Sequence, residues 1–221
     1  MIRFLFILFF SICYTSHIEK LSYKVYFTNL KAGTAELKLS EDANGNHYIV
    51  NFELRSYKYL DAIYKLRENT SMIVNRKDFS IYEIKKHVRQ GRKKRSYNGL
   101  FDYDSKIAHI NSQIVTFQKP IYDPINIIYY IRNNMQLLKD NIEFSILSKN
   151  TFKNINMGII EEEEIIFNNK KYVCSVVGPI NNQEKLDDIK IWFTKDSLAL
   201  PLIIEKKAKL GTIKMELVEN K

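Results

Sequence analysis

The 221 residues are 45% hydrophobic and 27% charged with only 7 Gly and 4 Pro, which excludes a disordered, collagen-like or low-complexity chain. Lys and Arg total 34 against 25 Asp and Glu, a net charge of +9, and two Cys cannot build a disulfide scaffold. No apolar stretch reaches the roughly 20 residues that a membrane-spanning helix needs.

Met1-Ile2-Arg3 places one cation ahead of an uninterrupted Phe/Leu/Ile run from Phe4 to Phe10. Small residues follow at Ser11, Cys13, Thr15 and Ser16. A positive start, a short apolar run and a small-residue zone predict an export signal over 1–16, cleaved after Cys13 or Ser16. A lipid anchor on Cys13 is disfavoured, because bulky Ile12 stands where a small residue is usual. The remainder, 17–221, reads as a single domain whose only thiol is Cys174. That thiol sits in the apolar run Val173 to Val177 and is expected to be an inert core residue.

From there the dominant hydrophobic period is two. Leu21, Tyr23, Val25 and Phe27 alternate with polar or exposed positions, as do Ala35, Leu37 and Leu39, then Tyr48, Val50, Phe52 and Leu54. Alternation of this kind marks strands with one buried face. Turn residues separate them at Asn29 to Gly33 and at Ala43-Asn44-Gly45-Asn46. Further strand-like runs are 63–75, 79–89, 95–104, 106–117, 142–149, 159–167, 170–177, 188–194, 201–208 and 211–218. Short strands at close spacing predict an antiparallel meander, closed or half-open as a barrel.

Lys85, Lys86, Arg89, Arg92, Lys93, Lys94 and Arg95 are seven cations in eleven residues without an acid among them. The rest of the chain carries only +2, so the basic character is local. Gln90-Gly91 lies between two strand-like runs and predicts a hairpin whose tip gathers the cations. Two readings stay open: a tip that binds anions or a partner, and a solvated edge hairpin whose charges block edge pairing. Nucleic acid is a poor candidate, since no reader motif accompanies the cluster.

Asp123 and Pro124 suit the N-cap and first position of a helix over 124–138. Ile127, Ile131, Met135 and Leu138 would form its apolar face, packed on the sheet. Glu161 to Glu164 reads as a solvated turn or strand edge, because adjacent carboxylates point apart and no calcium-loop pattern follows. Asp187, Asp188 and Asp196 read as turn formers flanking a strand. No nucleophile elbow, zincin, Walker or dinucleotide motif occurs, and His17, His47, His87 and His109 are not spaced to share a metal. Neither a metal nor a cofactor is expected.

Four segments together resemble a bacterial family known as domain of unknown function 3108. Leu21-Ser22-Tyr23-Lys24-Val25 and Lys31-Ala32-Gly33-Thr34-Ala35 are similar to its opening hairpin. Ile63-Tyr64-Lys65-Leu66-Arg67-Glu68 is similar to one of its strands, and Gly91-Arg92-Lys93 to a tip. Asp123-Pro124 through Tyr130-Ile131-Arg132 resembles its helix. Ile191-Trp192-Phe193, Asp196, Leu200-Pro201 and Leu210-Gly211 resemble its closing strands. This chain departs at Lys195 and Ser197, and has Asp140-Asn141 where the family has a Gly.

The resemblance implies an exported, β-rich protein of the periplasm or outer envelope of a Gram-negative bacterium, and no activity. The matching residues read as structural: Gly33 and Gly211 for close approach or positive φ, Tyr64 and Arg67 in the strand, Asp123 and Pro124 at the helix start, Tyr130 and Arg132 on the helix, Trp192, Asp196 and Pro201 near the end. Arg132 is expected to pair with Asp196. The first functional reading is a non-catalytic envelope protein binding an amphipathic or anionic molecule such as lipid, with membrane contact at most peripheral. The second is a filled barrel docking through tip 85–95 on a protein partner or an anionic envelope polymer. A hydrolase without a recognisable motif comes third.

Overall fold

The computed structural model describes residues 17–148, 150–180, 189–208 and 211–220. The expected export signal with Cys13, and Asp187-Asp188, lie outside them. The strands are β1 (His17–Phe27), β2 (Leu30–Glu41), β3 (His47–Ser56), β4 (Leu66–Asn75), β5 (Ile81–Gln90), β6 (Lys93–Asp102), β7 (Ile107–Ile110) and β8 (Gln113–Thr116). They continue as β9 (Ile121–Tyr122), β10 (Ile142–Ser148), β11 (Thr151–Phe167), β12 (Lys170–Pro179), β13 (Ile189–Thr194), β14 (Pro201–Ala208) and β15 (Gly211–Asn220). Helix α1 (Lys58–Tyr64) joins β3 to β4, and α2 (Ile127–Asn133) with a 3-10 turn (Met135–Asp140) joins β9 to β10.

Sequence neighbours pair along one meander, and β1 pairs with β15, so the sheet runs from β8 through β1 and β15 to β9. Only β9 and β10 run parallel. The fold is mainly β as predicted, and of the two expected forms, closed or half-open, the barrel takes the half-open one, with β8 and β9 left as edges. Side chains bring those edges together. Phe117 packs on Phe101 and Phe152 with ring centroids 6.0 and 6.1 Å apart. The Tyr103 hydroxyl donates to Ile81 O and accepts from Ile121 N–H.

The alternating residues do face inward: Leu21, Tyr23, Val25, Ala35, Leu37, Leu39, Val50, Phe52 and Leu54 are all buried. Each such Leu, Val or Phe side chain stabilises the fold by roughly 1.5–3 kcal/mol. Phe27, at the end of β1, is exposed instead. Ile63 and Tyr64, expected in a strand, end α1. The run 106–117 is two short strands, folded back at Asn111, whose φ is +53°.

The expected helix 124–138 is shorter and begins later. Asn126, not Asp123, holds the position before α2, and Pro124 is an exposed turn residue. Asp123 still shapes the entry: its Oδ1 accepts from Ile125 N–H at 3.1 Å, and its own N–H donates to Asn126 Oδ1 at 2.7 Å. The α-helix stops at Asn133 because Asn134 Nδ2 donates to Tyr130 O while Asn134 N–H turns back to Ile131 O. Ile127, Ile128, Tyr129 and Ile131 are buried inside the curled sheet. Tyr129 stacks on Phe79, and Tyr130 meets Tyr122 and Phe144 edge-on.

Candidate functional site

Antiparallel pairing puts the β1–β2 turn, α1 and the β5–β6 tip at one end of the barrel. The helix α2 and the β4–β5 turn meet at the other, where Asn126 Nδ2 donates to Phe79 O. Between them lies a cavity of about 370 Å³. Its inner part is lined by buried Tyr23, Leu37, Ile125, Ile128 and Ile204, while Leu66, Ile189 and Ile213 toward the tip are half-buried and Gln90 is exposed. Pro124 apart, which is exposed at the start of the helix segment, burial of the lining falls off toward the hairpin, which makes that the mouth end. A second cavity of about 100 Å³, lined by Ile127, Ile155, Met157 and Ile191, shares Pro124, Ile189 and Lys206 with the first.

The polar side of the wall is an ionic trio. Lys86 Nζ lies 2.9 Å from Glu68 Oε1 and 3.0 Å from Asp123 Oδ2. Burial alone would lower the Lys86 pKa, but the carboxylates of Asp123 and Glu68 outweigh it and hold it above the usual lysine value. Lys86 is thus a fixed internal cation, already neutralised. That corrects its assignment to the anion-binding tip. The register explains it: Ile84, Lys86 and Val88 alternate onto the inner face of β5.

The hairpin itself forms as expected, with Gly91 at φ +60° in the turn. Lys85 pairs with Glu83 at 2.5 Å, and Arg89 Nε donates to Gly91 O at 3.3 Å. Arg92, Lys93, Lys94 and Arg95 are exposed and have no carboxylate partner among the described residues. Arg95 lies opposite Val88 and Lys93 opposite Gln90, on the cavity face, whereas Lys94 opposite Arg89 is on the outer face. Four of the seven cations are thus exposed and unpaired at the tip among the described residues.

The remaining singled-out residues hold the frame. Arg132 does not pair with Asp196. Its Nη1 and Nη2 donate to Glu19 Oε2 at 2.5 Å and Oε1 at 2.9 Å, and Nη2 also donates to Leu198 O. Both side chains are mostly buried, so Arg132→Met is expected to cost about 1.5–3 kcal/mol in urea unfolding. Asp196→Asn should leave that pair intact. Asp196 instead closes the β13–β14 turn, accepting from Thr194 Oγ1 and from the N–H groups of Leu198 and Ala199.

Arg67 binds Asp61 and Ser56, Pro201 O accepts from the Tyr23 hydroxyl, and Trp192 Nε1 donates to Glu163 Oε2 at 2.7 Å. Glu161 to Glu164 form the expected solvated strand edge rather than a turn: they lie exposed in the part of β11 that pairs with β12 alone, where Glu161, Glu162 and Glu164 pair with Lys190, Lys195 and Lys171. Cys174 is fully buried, and burial pushes its thiol up to about 11, which leaves it unreactive near neutrality. Among the described residues no group of His, Cys, Asp and Glu is arranged to hold a metal ion, and no helix is long and apolar enough to cross a membrane.

A curled, largely antiparallel sheet around an interior cavity, with a helix at one end, defines a β-barrel-like protein with an interior pocket. The comparisons place it further. The model of the family described as "Protein of unknown function (DUF3108)" matches residues 22–218, and the chain belongs to that family. No curated protein matches it. Among solved structures it is similar to a β-barrel-like protein of domain of unknown function DUF1849 from Brucella abortus, with a TM-score of 0.61 at 8% identity. The alignment covers 92% of this chain and 96% of that one, a likeness of fold alone.

Proposed function

We propose that the protein is a non-catalytic binding protein whose cavity takes the apolar part of an amphipathic molecule and whose tip meets an anionic head group. One observation carries this reading: a largely apolar cavity of about 370 Å³ has Gln90, the exposed residue next to the basic turn, in its lining. That volume lies near the lower end of the roughly 300–1,000 Å³ range of small-molecule sites. Each methylene it desolvates contributes roughly 0.8 kcal/mol. Lys86 is occupied by two carboxylates, so an anionic head falls to Arg95 and Lys93. The leader-like start fits action outside the cytosol, at the envelope where such amphiphiles reside.

The test is titration of lipid-stripped protein with a fluorescent long-chain fatty acid. Saturable one-to-one binding is expected, weakened at least about tenfold by the cavity-filling pair Leu54→Trp and Ile204→Trp. Melting within a few degrees of wild type would certify the fold. Absence of saturable binding, or binding indifferent to the filled cavity, would overturn the proposal.

The four exposed tip cations also suit a second reading, docking on an acidic protein or an anionic envelope polymer. In that case Arg92→Glu with Arg95→Glu abolishes capture of the polyanion, and fatty-acid affinity does not change.

A further inference from the structure

The mouth end carries more than charge. Leu30 is 68% exposed, Tyr59 61%, Tyr64 51% and Phe27 38%. These four come from two connections of the sheet, the β1–β2 turn and α1, and contacts tie both to each other and to the β5–β6 turn. The Tyr59 hydroxyl donates to Lys31 O, Tyr57 N–H donates to Ala32 O at 2.9 Å, and Gly91 N–H donates to Lys65 O at 2.8 Å. The Tyr64 ring lies against Gly91 in the basic turn. One rim therefore presents two aliphatic or phenyl groups and two tyrosines next to the cationic tip.

Among the described residues the unpaired charges around this rim are of one sign. Lys31, Lys58, Arg92, Lys93, Lys94 and Arg95 are exposed with no carboxylate partner among the described residues. Two acids near it among the described residues are already used: Asp61 is bound by Arg67 at 2.5 Å, and Glu53 is paired with Arg55. Exposed apolar and aromatic groups interleaved with unpaired cations match a bilayer interface. Tyrosine rings sit at head-group depth there and Lys/Arg meet anionic phosphates. A polyanion in solution would recruit the cations but gives no role to Leu30 and Phe27.

We infer that this rim is a membrane-docking surface for anionic phospholipid, seated with Leu30, Phe27, Tyr59 and Tyr64 in the interface and the β5–β6 tip on the head groups. Docked this way, the cavity mouth faces the lipid, and an amphiphile moves between bilayer and cavity without crossing water. That last step rests on the binding function proposed above; the docking contact does not.

Co-sedimentation with vesicles tests it, using phosphatidylcholine alone and phosphatidylcholine mixed with phosphatidylglycerol. Binding is expected only to the acidic vesicles and should fall with added salt. Arg92→Glu with Lys94→Glu, and separately Leu30→Glu, should each lower partitioning by roughly tenfold or more. Leu30→Glu should leave the solution affinity for the fatty acid unchanged, which certifies folding. Failure of wild-type protein to bind acidic vesicles overturns the inference, and fatty-acid binding in the same preparation would leave the cavity reading standing. Vesicle binding that Leu30→Glu does not weaken, matched by equal affinity for soluble dextran sulfate, also overturns it and marks a polyanion site instead. Vesicle binding without fatty-acid uptake keeps the docking surface and removes the cavity reading.

Discussion

Lys86→Met is expected to destabilise the fold by about 3–5 kcal/mol, the usual result of removing one partner of a buried ion pair. The methionine replaces the hydrocarbon stem but not the ammonium that lies 3.0 Å from Asp123 Oδ2 and 2.9 Å from Glu68 Oε1. The Asp123 side chain is only 5% exposed, so its charge then stays buried with the Ile125 N–H as its chief remaining partner. In a chain of this length such a loss lowers the melting temperature by on the order of 10 °C. Adding Asp123→Asn should recover part of it, because deleting both charges removes the uncompensated one.

The pH dependence has a definite sign. The folded-state pKa of Lys86 is raised, so its contribution is complete below the unfolded lysine value of about 10.4. It is lost only as pH rises through the folded value. The gap between wild type and Lys86→Met should therefore be flat from about pH 7 to about pH 9 and close in strong alkali. A variant melting within about 2 °C of wild type at neutral pH would show that the trio contributes little.

The same residue marks how far the sequence is legible. Period-two alternation in Leu21, Tyr23 and Val25, and again in Val50, Phe52 and Leu54, is a local signal, and it carries over directly into one buried face and one meander. Gly91 at the centre of a cation run likewise announces a hairpin tip without knowledge of anything distant. Lys86 was hidden by its six basic neighbours, although its alternation with Ile84 and Val88 already places it inward. Its partners come from β4 and from the segment before α2, and no local pattern encodes them. Arg132 fails in the same way. Asp196 is the nearer acid in the closing motif, yet the fold delivers Glu19, 113 residues away, to the guanidinium. Asn126 was missed altogether; a polar residue with Asp three before it and isoleucines on both sides was the available signal. The rim resisted reading because its four exposed apolar residues lie in two separate connections, the β1–β2 turn and α1, and only antiparallel pairing gathers them beside the basic tip.

Gly33→Ala should be nearly as damaging as loss of Lys86, and far worse than Gly91→Ala. A Cβ on Gly33 would lie 2.1 Å from Arg55 O and 2.9 Å from Ser56 Cα, backbone atoms that cannot rotate aside. β2 and β3 must separate at the Gly33–Ser56 pair. Overpacking inside a sheet costs about 1–3 kcal/mol where side chains can yield, and the upper end is expected here. At Gly91, by contrast, the nearest atom to an added Cβ is in the Tyr64 ring at 3.4 Å, and only the φ of +60° opposes alanine. That costs roughly 1 kcal/mol.

The damage at Gly33 would also reach the rim through Ser56. Its hydroxyl donates to Asp61 Oδ1 at 2.6 Å and accepts from Leu66 N–H at 2.9 Å, fastening α1 to the start of β4. The Ser56 hydroxyl, with help from Arg67, holds the Asp61 carboxyl below its usual range. Its contribution is therefore present above the unfolded value of about 3.9 and disappears as pH falls through the folded one. When β3 shifts, the Asp61 pKa should climb back toward that ordinary value, and the Tyr57 amide should lose its bond to Ala32 O and exchange faster. NMR titration and hydrogen exchange read these two changes separately from global stability. If Gly91→Ala proves as destabilising as Gly33→Ala, or if Asp61 and Tyr57 are unmoved in Gly33→Ala, then close approach of β2 and β3 is not what requires glycine at position 33.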